Sequence, residues 1–208
     1  MASKRRVKSK KKISLLMVLF VLLAIVAGVG AVVCMMMPFY DWSSSYTFGN
    51  NTYSVGYSIS GFTLAWGGSI ILKGSIPAVN DYSKAVDLEN QNGGLIAIFC
   101  LFVIGIVLLV TYLVLSFIPK TNKNGLVKYV LPLLAFLCLL AGGIMCFCLL
   151  PLIKDQLDMS GVNKTINTLE KIGFKATDKL GRGSILSGIC GIVSGVIALI
   201  LIPLTSKK

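Results

Sequence analysis

The chain contains no histidine. That removes the commonest general base and the commonest metal ligand available near neutral pH, and no GxSxG or HExxH sequence takes its place. Charge is scarce too: Asp, Glu, Lys and Arg make up 13% of the residues, against roughly a quarter in a soluble domain. Four apolar runs carry none of it: Ile13 to Met37, Leu95 to Ile118, Tyr129 to Ile153 and Ile185 to Leu204. Ion-coupled and proton-coupled transporters place ionisable side chains inside the membrane despite their cost, so these runs argue against that class. Cysteine is missing from every loop, since Cys34, Cys100, Cys138, Cys146, Cys148 and Cys190 all fall within the runs. A disulfide framework outside the membrane is thereby excluded.

What is present is hydrophobic length. Each run is about 20 to 25 residues, enough to cross ~30 Å of hydrocarbon at ~1.5 Å per residue, and lipid leaves the backbone no partner except its own helix. The sequence is therefore read as a membrane all-α protein, a four-transmembrane-helix bundle with a small extracytoplasmic domain containing a β-hairpin. Its expected parts are a basic tail (1–12), spans at 13–37, 94–118, 129–153 and 185–204, outer loops at 38–93 and 154–184, a short loop at 119–128 and a tail at 205–208.

The charges that remain are segregated. Residues 1–12, 119–128 and 205–208 hold basic residues and no acid, whereas the two outer loops balance Lys and Arg against all of the Asp and Glu, so the net charge of +12 lies on one side. Basic residues near span ends are retained in the cytoplasm, which places both termini there and suggests the plasma membrane. Lys4 to Lys12 beside the first span are expected to attract anionic lipid, at roughly 1 kcal/mol each, rather than nucleic acid. A cleaved signal would have a shorter apolar core followed by small residues. Here Met35, Met36, Met37 and Pro38 follow, so the first helix is expected to stay attached.

In the loop 38–93, Phe39, Tyr40 and Trp42 are expected at headgroup depth. Tyr53, Val55, Tyr57 and Ile59 alternate with Ser54, Gly56, Ser58 and Ser60, the period of a half-buried strand. Gly49-Asn50-Asn51 suits a tight turn, so Ser45 to Ser60 reads as a hairpin. The apolar stretch from Gly61 to Leu72 is either a third strand or an interfacial segment, and Asp81 to Asn90 reads as a short helix. In the second outer loop Val162, Ile166, Leu169 and Ile172 stand at helical spacing. The fragment Ser54-Val55-Gly56-Tyr57-Ser58 is similar to a potassium filter, but no apolar pore helix precedes it. Sequons at Asn50 and Asn163 both lie in outer loops.

Three sets of candidate residues follow. Tyr53, Tyr57, Phe62 and Trp66 form a candidate interaction surface. Gly183, Ser187, Gly191 and Gly195 recur every four residues and form a candidate packing stripe, used within the bundle or between copies. Cys34, Cys100, Cys146, Cys148 and Cys190 lie near the outer ends of their helices, a thiol layer that could form a buried disulfide, hold a soft metal or act as small hydrophobes. No catalytic residue and no cofactor are assigned.

Four spans, a first outer loop with β character and a shorter second loop resemble the architecture of claudins. Trp42 followed by Gly61-Phe62-Thr63 is similar in spacing to the claudin pattern of a Trp and a later Gly-Leu-Trp, while the two loop cysteines of that family are absent. The resemblance implies association at the cell surface through lateral or opposing contacts. The expected function is a non-enzymatic accessory subunit, scaffold or surface-interaction module, its partner another membrane protein or a second copy. The alternatives are a channel or transporter for a neutral or lipophilic substrate and, third, a membrane enzyme acting on thiols or lipids.

Overall fold

The computed structural model describes the backbone of residues 15–76, 79–88, 91–118, 125–159, 171 and 173–206. Four helices are long and apolar enough to cross a membrane: α1 (Leu15–Cys34), α3 (Gly93–Phe117), α4 (Leu131–Phe147, its span starting at Val127) and α6 (Arg182–Ser206, its span ending at Leu204). Between α1 and α3 lie β1 (Pro38–Phe48), β2 (Asn51–Ser60), the short helix α2 (Gly61–Trp66), β3 (Gly68–Ile76) and β4 (Val79–Leu88). Between α4 and α6 lie helix α5 (Leu150–Met159) and strand β5 (Lys175–Leu180).

The fold class expected from the sequence is thus corrected. The protein is a mixed α/β structure, with a five-stranded antiparallel sheet in the order β4-β3-β2-β1-β5 beside six helices among the described residues. An all-α bundle with one hairpin understates the sheet because only the most regular alternation, that of β2, stands out in the sequence. The hairpin begins at Pro38 rather than Ser45, and Gly49 turns it at φ 59°. Phe39, Tyr40 and Trp42 are accordingly strand residues buried in the core.

Two further segments differ from expectation. The stretch after Gly61 is a strand only in its second part: a short helix, not expected from the sequence, precedes β3. Ser60 caps the helix by accepting from the Thr63 amide at 3.1 Å, and Gly67 at φ 87° ends it. The segment expected as a helix from Asp81 is strand β4, paired with β3 from Gly68↔Leu88 to Ile76↔Val79. Its helical spacing is too short to compete with a ladder along the whole of β3. The third span stops at Phe147, and after Cys148 and Leu149 the chain restarts as α5, with Pro151 in the first turn where its missing N–H costs little. The helix expected at Val162, Ile166, Leu169 and Ile172 lies outside the described residues.

Small residues set the helix packing. The Gly143 and Gly191 backbones face each other across α4 and α6, and a Cβ on Gly143 would stand 2.9 Å from the Gly188 carbonyl. Serines then fasten the neighbouring backbones. Ser187 and Ser194 donate to the carbonyls of Ala31 (2.7 Å) and Ala24 (2.6 Å) on α1, and Ser184 donates to that of Cys146 (2.6 Å) on α4. A buried hydroxyl in an apolar bundle needs such a partner. The sheet joins the bundle at one end: the Gly181 amide donates to the Phe39 carbonyl, and Asn92 caps α3 while its Nδ2 donates to the Leu152 carbonyl.

Candidate functional site

Strand alternation gives the sheet two different faces. Register pairs Trp42 with Tyr57, Tyr40 with Ile59 and Ile70 with Val86 on the inner face, where Trp42, Tyr57, Tyr40, Ile59 and Ile70 are buried. Trp42 stacks on Tyr57 with ring centres 5.2 Å apart. The outer face carries Asp41 opposite Ser58, Ser43 opposite Gly56, and Ser69 opposite Asp87.

The inner face holds a polar cluster within this apolar layer. The Tyr40 hydroxyl donates to Asp178 Oδ1 at 2.8 Å, and Lys154 of α5 reaches Asp178 Oδ2 at 2.5 Å. Burial alone would raise the Asp178 carboxyl, but hydrogen bonds from Lys154 and Tyr40 outweigh it and hold the group below the ordinary carboxylate value. Burial first, and then the hydrogen bond to Asp178, pushes the Tyr40 phenol well above its usual value. Burial and the Asp178 charge do the same to Tyr57. The Ser44 hydroxyl is buried without a hydrogen-bond partner among the described residues. The arrangement is a clamp that ties α5 and β5 to β1. Leu149, Ile153 and Leu157, four residues apart and all buried, form one covered stripe that runs into α5.

The outer face forms an open groove of about 1130 Å³. Its walls are rich in hydroxyls, from Ser43, Ser58, Ser60, Thr63 and Ser69, with Met37 and Ile71 as apolar patches. Gly56 keeps the floor clear, since a Cβ there would stand 2.9 Å from the Trp42 carbonyl oxygen. Asp41, Lys73 and Arg182 supply its charges, and none of them forms an ion pair among the described residues.

The residues singled out from the sequence are distributed differently from their grouping. Tyr57 is buried and Tyr53 half-buried on the inner face, whereas Phe62 (48% exposed) and Trp66 sit on α2. Phe62 packs on Trp66 at 4.6 Å, and Trp66 meets Phe99 of α3 edge-on at 5.0 Å. The four do not make one surface. The stripe Gly183, Ser187, Gly191 and Gly195 faces inward: Gly183 lies against the carbonyls of Cys34, Met37 and Pro38, Gly191 against Phe102 and Gly143, and Gly195 against α4.

All six cysteines are free thiols. Cys146 is buried with its Sγ 3.8 Å from the Ser187 hydroxyl, Cys100 and Cys148 are exposed, and Cys34 and Cys190 are half-buried neighbours. Cys190 Sγ stands 3.8 Å from where a Cβ on Gly30 would be, one turn below Cys34. No group of three or more Cys, Asp or Glu side chains among the described residues is placed to hold a metal ion.

Sequence reasoning missed Asp41, Lys73 and Arg182 in the groove, and Lys154 and Asp178 in the clamp. A signal for the first existed, because Asp41, Ser43 and Ser45 alternate with Tyr40, Trp42 and Ser44 as a strand requires. The partners of the clamp are far apart in sequence, and nothing local points from one to the other. No protein-family model and no curated protein matches this chain.

Proposed function

We propose that the protein works without enzymatic chemistry, as an accessory subunit, scaffold or surface-interaction module of the plasma membrane, acting through its sheet domain. One observation carries the reading. Both segments that follow spans at this end feed a single sheet, β1 to β4 from one and β5 from the other, and that sheet presents an open groove of mixed apolar and hydroxyl lining on its outer face. A rigid surface built from sequence-distant pieces and clamped by Lys154 and Asp178 suits recognition, where preorganisation lowers the cost of binding.

The segregated charge supports the orientation, with both termini cytoplasmic and the sheet on the other side. At the cytoplasmic end, Lys4 to Lys12 would lie against anionic lipid. The partner of the sheet is another membrane protein or a second copy of this chain, which is also what the resemblance to claudins implies. Affinity purification in mild detergent tests the reading. It should recover a stoichiometric partner or a homo-oligomer from the unaltered chain and less of it from a Ser43→Arg, Ser58→Arg variant, whose altered side chains stand in the groove. A monodisperse, partnerless monomer would contradict it.

A further inference from the structure

The charges in the groove are ordered along the strands. Arg182 opens α6, and because Gly181 donates to the Phe39 carbonyl, Arg182 stands at the level of Pro38, where α1 gives way to the sheet. Asp41 lies three residues further along β1, on the face of Ser43 and Ser58, or ~10 Å higher at ~3.3 Å per residue. Lys179 stands opposite Asp41 in the β1–β5 register, yet neither it nor Lys73 forms an ion pair with the carboxylate among the described residues. Below the groove the exposed Met36 and Met37 continue into Val33 and Ile185, exposed apolar residues of two candidate spans.

An occupant of the lower groove therefore meets apolar surface first, then the Arg182 cation, then the Asp41 carboxylate among hydroxyls, with Lys179 across the ladder from Asp41 and Lys73 across it from Gly56. That order is complementary to a phospholipid whose headgroup rises from the bilayer, with the phosphate below and an ammonium above. We propose that the groove binds an aminophospholipid of the phosphatidylethanolamine type. Its phosphate rests on Arg182, whose planar fork of donors matches phosphate oxygens, and its primary ammonium donates to Asp41 and to the Ser43 and Ser58 hydroxyls. A trimethylammonium headgroup has no N–H to donate and is recognised by open aromatic faces instead; Trp42 and Tyr57 border the groove but are buried and stacked on each other. The inference rests on the sheet end standing at a bilayer surface and not on a protein partner, so a failure here leaves the partner reading intact.

Native mass spectrometry of the full chain in mild detergent provides the test, with an equimolar mixture of phosphatidylethanolamine, phosphatidylcholine and phosphatidylglycerol of matched acyl chains. One phosphatidylethanolamine per chain should be retained about tenfold over phosphatidylcholine, the worth of one charge-assisted hydrogen bond. Asp41→Asn should bring the two near parity, and Arg182→Gln should weaken retention of all three. Lys175→Gln, outside the groove lining, should change nothing. Near-ultraviolet circular dichroism confirms that each variant keeps the stacked Trp42. Millimolar phosphoethanolamine should not displace the lipid, because the apolar surface below the groove holds its chains. Equal retention of the ethanolamine and choline lipids would overturn the proposal, as would preference for phosphatidylglycerol, indifference of a folded Asp41→Asn variant, or displacement by the free headgroup.

Discussion

Replacing Asp178 by alanine separates the two tasks of its carboxylate. One oxygen holds Lys154 and the other accepts the Tyr40 hydroxyl. The side chains of the ion pair are 47% and 28% exposed, so solvent screening limits the pair to about 0.5 to 1 kcal/mol. Tyr40 is only 2% exposed, and a buried hydroxyl left without its acceptor costs about 1 to 3 kcal/mol. Asp178→Ala should therefore destabilise the protein by about 1.5 to 4 kcal/mol, while Lys154→Met should cost no more than about 1 kcal/mol. Asp178→Asn retains an acceptor for Tyr40 and should fall between them. Adding Tyr40→Phe to the alanine variant removes the orphaned hydroxyl and should recover about 1 kcal/mol. SDS-titrated unfolding of the purified protein, followed by tryptophan fluorescence, reads these differences through the Trp42–Tyr57 stack. Equal losses for Asp178→Ala and Lys154→Met would refute the reasoning, as would simple additivity in the double variant. The pH dependence has a definite sign. Because the folded carboxyl titrates below its ordinary value, the clamp contributes fully above the unfolded value of about 3.9 and is lost as the pH falls through the folded one.

Three other outcomes are expected. The raised phenols of Tyr40 and Tyr57 stabilise the fold below the unfolded value of about 10, and above it stability should fall by about 2.7 kcal/mol per pH unit for the two together; phenolate absorbance with two tyrosines titrating early would contradict this. A Cβ on Gly191 would stand 2.6 Å from Phe102 Cε1 and 3.2 Å from the Gly143 Cα, so Gly191→Leu should cost about 3 kcal/mol or more. Gly93→Ala, which meets nothing within 4 Å, should be neutral or slightly stabilising in the same unfolding assay. Copper-phenanthroline oxidation followed by peptide mapping should join Cys34 to Cys190, which are neighbours across α1 and α6; absence of a Cys34–Cys190 product would speak against the described α1–α6 packing.

The bundle was legible because its signal is long and local. Four charge-free runs locate the four long helices, and Pro132 stands in the first turn of α4, but the third helix stops at Phe147, short of the end of its run at Ile153, and Pro151 opens α5 instead of closing the span. Most of the sheet was not, because its strands alternate imperfectly. In β1 the small polar Ser44 occupies an inner position between Trp42 and Tyr46, which masks the period that Tyr40 and Trp42 begin. In β4, Ala85, Val86 and Leu88 mimic one turn of a helix, and only pairing with β3 decides otherwise. For the candidate site, aromatic residues drew the eye to Tyr53 and Tyr57, but size and apolarity send those rings to the covered face, where burial of each is favourable. The groove is made of the residues between them, serines and a glycine whose significance appears only when the strands are side by side. The clamp was illegible for a different reason: Tyr40 and Asp178 are 138 residues apart, and a single sequence carries no record of that contact.

The central claim is that the outer face of the sheet is the working surface, and photocrosslinking from that face tests it most directly. A photoreactive amino acid at Ser58, exposed on the groove wall, is compared in intact cells with one at Leu23, exposed on the apolar surface of α1. The account predicts one discrete protein adduct, or a dimer of this chain, from position 58 and none of that mass from position 23. No adduct from position 58, or the same ladder from both positions, would contradict it.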